Sequence, residues 1–115
     1  MAEGEYSELS NGWTDVTAMV AINSTLYILS GGTLYRVKRS NGEYEAMEGT
    51  WKPRAMAAAK GKLYIFDGDG GLYRVDAASG AYEQISTGWE QTDAAYAAGD
   101  TLYATAAGAL YQIQI

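Results

Sequence analysis

An all-β fold of short antiparallel strands is predicted by three features of this 115-residue chain. Its residues repeat every 38 positions, its apolar residues follow the short period of strands, and glycine-rich turns divide one run from the next. Trp13, Trp51 and Trp89 are the only tryptophans and mark the period. Tyr6, Tyr44 and Tyr82 keep it, as do Leu34, Leu72 and Leu110, and Tyr35, Tyr73 and Tyr111. The stretch from Leu26 to Leu34 is one residue shorter than that from Leu63 to Leu72, with Asp67-Gly68-Asp69-Gly70-Gly71 carrying the addition. A repeat that changes length only where a turn belongs is a structural unit that has diverged.

Four strands fit each unit. The first is a run of small residues, Ala18 to Ile22, matched by Ala55 to Ala59 and Ala94 to Ala98, and it ends at Asn23-Ser24, Lys60-Gly61 or Gly99-Asp100. Alanine favours helix by propensity, so a helix over Ala55 to Lys60 competes with this reading, and the repeat weighs against it. The second strand starts at Leu26, Leu63 or Leu102, where tyrosine and β-branched residues suit a pleated surface. A glycine hairpin leads to the third, Leu34 to Lys38, Leu72 to Asp76 and Leu110 to Ile115. Ser40-Asn41-Gly42 or Ser79-Gly80 then turns the chain into the fourth, Glu43 to Met47 and Ala81 to Ile85.

Four-stranded units with a tryptophan start and paired Leu-Tyr positions resemble the blades of a β-propeller. The pattern Trp13/Trp51/Trp89 with Leu34-Tyr35-Arg36-Val37 and Leu72-Tyr73-Arg74-Val75 is most similar to tectonin-like and quinoprotein-like repeats, which include sugar-binding propellers. The resemblance implies innermost strands crowded around an axis, which would select the small side chains of Ala18, Ala21, Ala55, Ala57, Ala58, Ala94, Ala97 and Ala98. It divides the single domain 1–115 into blades at 13–50, 51–88 and 89–115.

The repeat is out of phase with the ends of the sequence. Glu5 to Leu9 matches a fourth strand, while Leu110 to Ile115 is a third strand with none after it. Propellers have four to eight blades, and three twisted sheets cannot surround an axis at normal packing distance. The expectation is a homodimer closing a six-bladed ring, with residues 1–10 of each copy completing the last blade of the other. A fragment of a longer propeller is the competing reading.

Composition narrows function. Hydrophobic residues make up 48% and charged residues 19%, which is globular and not disordered. There is no cysteine and no histidine, removing disulfides, thiolate sites, the usual general base and the commonest metal ligand. No enzyme activity, metal or cofactor is expected. Asp67-Gly68-Asp69-Gly70 lacks the acidic ligand a calcium loop needs further on, and reads as a hairpin turn. A net charge of −6 argues against a nucleic-acid partner. The acidic start and the absence of a long apolar run argue against a secretory leader or a membrane span, which leaves a cytoplasmic or unassigned location.

All eight basic residues lie between Arg36 and Arg74, against five acidic ones there; the flanks carry only acidic charge. Two functions from different classes fit. One is a carbohydrate-binding module, a lectin, using Trp13, Trp51 and Trp89 as stacking platforms and Asp15, Arg54 and Asp93 in the variable segments after them. The other is a self-assembling scaffold without a ligand, in which the tryptophans wedge between blades.

Overall fold

The computed structural model describes residues 2–115 and contains eleven strands and no helix among them. The first sheet comprises β1 (Val16–Ile22), β2 (Thr25–Ser30), β3 (Thr33–Lys38) and β4 (Tyr44–Ala46). The second comprises β5 (Pro53–Ala59), β6 (Lys62–Asp67), β7 (Leu72–Asp76) and β8 (Tyr82–Ser86). The third has three strands, β9 (Thr92–Ala98), β10 (Thr101–Ala106) and β11 (Ala109–Gln114). Every sheet is an antiparallel meander in sequence order, so the architecture is propeller-like, and Ala55 to Lys60 is strand and turn, not helix.

The first strand of each unit begins two residues earlier than its alanines suggest. The cause is a bulge at the same place in all three sheets, where the register skips Thr17, Arg54 and Asp93. A bulge bends the strand and re-aims the extra side chain, so a polar residue is accommodated at the end of an otherwise apolar run. Thr17, Arg54 and Asp93 are all exposed.

Alternation along each strand sends one set of side chains to the preceding sheet and the other to the following sheet. Tyr27 and Leu29 on β2 meet Met56, Leu63 and Ile65 of the second sheet. Tyr64 and Phe66 on β6 meet Leu102 and Ala104 of the third. Two core clusters therefore lie at the two seams, and β5 packs between β1 and β9. The outer faces of the first and third sheets are uncovered. Met56 is 6% exposed at the seam between the first two sheets, whereas Met19, its equivalent on β1, is 61% exposed. Ala57 is buried, and its equivalent on β9 is the exposed Tyr96. The crowding expected to select alanine thus acts on Ala55 and Ala57, but not on Ala21, Ala94 and Ala98, which face solvent.

The segment Glu5 to Leu9, expected as a strand, pairs with nothing in the single chain, and residue 1 of the expected 1–10 segment lies outside the described residues. No helix of the described residues is long and apolar enough to cross a membrane.

The β7–β8 turn is held by one side chain. Asp76 Oδ1 accepts from the backbone N–H groups of Ala78 and Ser79, each at 2.9 Å, and from the Ser79 hydroxyl at 3.2 Å. These donors favour the carboxylate and hold its pKa down at about 2. An unfolded aspartate titrates near ~3.9, so the turn contributes stability above that pH, and the contribution is lost as pH falls through the folded value. Replacing Asp76→Asn is expected to flatten the stability curve between about pH 4 and pH 2, read by urea unfolding at stepped pH.

Candidate functional site

The tryptophans that the repeat singles out each head a cluster of aromatic rings. Trp13 lies 5.3 Å from Tyr35 and 5.1 Å from Tyr44, and those two tyrosines are 5.7 Å apart. Trp51 stands in the same relation to Tyr73 and Tyr82, at 5.3 and 5.1 Å, with 5.9 Å between the tyrosines. Nearly all these pairs meet edge to face, the arrangement that the ring quadrupole favours. The cluster binds the third strand of each sheet to the fourth, because its tyrosines come from β3 and β4, or from β7 and β8.

Trp89 meets Tyr111 at 5.4 Å and, across the seam, Phe66 at 5.3 Å, and no fourth-strand tyrosine stands beside it among the described residues. One period after Tyr82 would come the next ring, and the residue one period before Tyr44 is Tyr6. Tyr6 is 93% exposed.

Each tryptophan also locks its sheet to the one before it. The Trp51 N–H donates to the Gly32 carbonyl at 2.8 Å and the Trp89 N–H to the Gly70 carbonyl at 2.9 Å. Gly32 has a φ of 85° and a side chain there would strike the Trp51 carbonyl at 2.8 Å, so the hairpin requires glycine. The Trp13 N–H and the Gly108 carbonyl hold the matching positions at the two ends of the row.

The predicted ligand residues do not converge. Trp51 is buried, and Trp13 and Trp89 are half-buried with tyrosine edges against them. Asp15 is exposed in a turn at φ 50°. Arg54 and Asp93 occupy equivalent bulges on neighbouring inner strands, where Thr17, and not Asp15, is the corresponding residue of the first sheet. Arg54 Nε donates to the Thr92 carbonyl at 2.8 Å, tying the second sheet to the third. Among the described residues no group of three or more acidic side chains could hold a metal ion. Asp69 instead accepts from the Tyr73 hydroxyl at 2.7 Å and from the Gly71 N–H at 2.8 Å, which pushes the phenol up to about 12 and closes the hairpin as a turn.

A concavity of about 560 Å³ lies between the first two sheets beside Arg36, Lys38 and Tyr44. Arg36, Glu45 and Tyr27 there already have protein partners. Arg36 pairs with Glu45 and donates to the Ala78 carbonyl, and the Tyr27 hydroxyl donates to the Ala77 carbonyl.

No protein-family model and no curated protein matches the chain. Solved structures do match. A structure of PorZ, a surface component of the type-IX secretion system of Porphyromonas gingivalis, aligns with a TM-score of 0.72 at 13% identity over 86% of this chain and 14% of that one. Virginiamycin B lyase from Staphylococcus aureus aligns at 0.60, with 12% identity, over 93% and 43%. The computationally designed protein Ika4 aligns at 0.55, with 12% identity, over 96% and 99%. The likeness is one of fold. The chain spans about a seventh of PorZ, and only Ika4 among these three is matched along nearly its whole length.

The linkers into the three clusters differ in one informative way. Trp13 Nε1 donates to Ser10 Oγ and Trp89 Nε1 to Ser86 Oγ, both at 3.0 Å. The equivalent of these serines before Trp51 is Glu48, and Trp51 Nε1 is buried with no partner. Its linker also carries glycine one position earlier, at Gly49, where φ is 103°. An orphaned buried donor costs roughly 1–3 kcal/mol. Transplanting the third linker, as the triple change Glu48→Ser, Gly49→Thr and Thr50→Gly, is expected to stabilise the fold by about 1 kcal/mol. Thermal denaturation should then shift upward by a few degrees.

Proposed function

We propose that the chain is a self-assembling propeller scaffold, a three-bladed unit that closes into a six-bladed ring with a second copy. The observation that carries this reading is the pair of uncovered sheet faces. The same repeat positions are buried at the two internal seams and exposed at the two ends of the row, so each end has the composition of half a seam. Leu34 and Leu72 are fully buried and Leu110 is 72% exposed, although all three stand at one position of the repeat. Two copies give six blades, inside the range of propellers, and two-fold closure uses both ends of both chains. Ika4 supports a scaffold role by example, as a designed protein of similar fold and extent.

Carbohydrate binding has less to stand on. A stacking platform needs an open indole face, and the faces here are spent on tyrosine edges and on the seams. The assembled protein is expected to leave a glycan array blank, and the full-length chain to scatter light with twice the mass of 12.3 kDa and to melt at a temperature that rises with concentration. A folded monomer would overturn the assembly reading, and reproducible glycan binding lost in Trp13→Ala would restore the lectin.

Charge adds a second expectation. The seam brings together the two flanks of the sequence that carry only acidic residues. Screening at moderate salt should therefore strengthen assembly, lowering the dimer dissociation constant several-fold between about 0.02 and 0.3 M salt, as measured by analytical ultracentrifugation.

A further inference from the structure

We propose that residues 5–9 add as the missing fourth strand to β11 of a second copy, with Ser7 opposite Gln112 of the partner subunit and Tyr6 seated in the aromatic cluster of the partner's Trp89 and the partner's Tyr111. This inference rests on the assembly reading above and specifies which segment crosses the seam and in what register.

Four observations carry it. The first is the incomplete cluster. Two of three tryptophans are met by a tyrosine from the fourth strand, at 5.1 Å in both cases, and Tyr6 stands at that position of the repeat with no ring against it.

The second is a matched exchange of charge. In the first sheet Arg36 lies opposite Glu45 and forms an ion pair with it, and in the second Arg74 does the same with Glu83. The corresponding residues are Gln112 on β11 and Ser7 in the N-terminal segment. Both members of the pair have become neutral together. A fourth strand with a glutamate here would face an uncharged glutamine, and a third strand with an arginine would face an uncharged serine. The joint replacement is what residue 7 and residue 112 would show if they oppose one another. It is not expected if residue 7 pairs with a strand of some other sequence.

The third is the position of the segment's inner end. The Leu9 carbonyl lies where a side chain on Gly42 would meet it at 2.5 Å, and Met47 packs over Gly80 in the same way, at 3.2 Å. Leu9 and Met47 are one period apart, as are Gly42 and Gly80. The Ser10 to Trp13 hydrogen bond likewise repeats that of Ser86 to Trp89. Residues 9–13 thus repeat contacts of the connection between two blades, and residues 5–8 precede them in the chain as a fourth strand would.

The fourth is the unfilled ladder. Met47 N–H donates to the Leu34 carbonyl at 2.8 Å, and Asp76 N–H donates to the Ala81 carbonyl at 2.8 Å. The same register offers the Leu9 N–H to the carbonyl of the partner's Leu110, and the Glu5 carbonyl to the N–H of the partner's Gln114. Strand addition would satisfy the edge of β11 and cover Leu110 at once.

The chain has no cysteine, so an introduced pair reports on this contact alone. Hydrogen-bonded cross-strand neighbours lie about 5.5 Å apart, within the reach of a disulfide. Full-length Ser7→Cys and Gln112→Cys chains, mixed and oxidised mildly, are expected to give a covalent heterodimer that reductant dissolves. Glu3→Cys mixed with Gln112→Cys, out of register, should give at least tenfold less. Tyr6→Ala should raise the dimer dissociation constant at least tenfold, and Tyr6→Phe should stay near the parent. A dimer by light scattering without the Ser7–Gln112 cross-link would overturn strand addition and leave the assembly reading in place. Monomeric parent protein would defeat both, and a cross-link formed within one chain when Ser7→Cys and Gln112→Cys are placed in the same chain would show that the segment returns to its own third sheet.

Discussion

The contact between adjacent sheets is the constraint on which the rest of this molecule depends. A four-stranded meander of this length has two apolar faces and no thickness of its own, so neither face is dry until another sheet lies against it. The second sheet has a neighbour on each side, and its strand β6 is the most buried of the chain. The first and third sheets have one neighbour each, and exposure rises on the other face although the residues occupy the same positions of the repeat. Burial here belongs to a position in the row, not to a residue type.

The tryptophan is the piece that makes one sheet answer to the next. Its backbone N–H reaches the hairpin glycine of the preceding sheet, its ring fills the seam, and its edge is met by tyrosines of its own third and fourth strands. Removing the preceding sheet, as happens at Trp13, or the fourth strand, as happens at Trp89, leaves part of this arrangement without a partner.

Much of the fold was legible in the sequence because a tandem repeat reports each structural demand three times. Three tryptophans on one period, a length change confined to Asp67–Gly71, and turn residues at matching sites identify the strands and their order. The bulges were not legible. Thr17, Arg54 and Asp93 share no chemistry, since a bulge constrains the backbone and leaves the side chain free. The variable residues after each tryptophan therefore run into a shared structural feature, with Asp15 two residues before the bulge at Thr17. The roles of the tryptophans were also hidden, because an indole that stacks on a sugar and one that wedges between sheets look alike in a sequence.

The sequence by itself determined the repeat and the strands of a unit. These follow from local pattern and composition, which each residue carries with it wherever it is placed. Tertiary structure alone decided which faces are dry, that the Trp51 Nε1 is buried without a partner, and that the Leu9 carbonyl lies against Gly42. Those facts depend on which sheet stands beside which, and neighbours in space are set by packing and not by the spacing of residues along the chain.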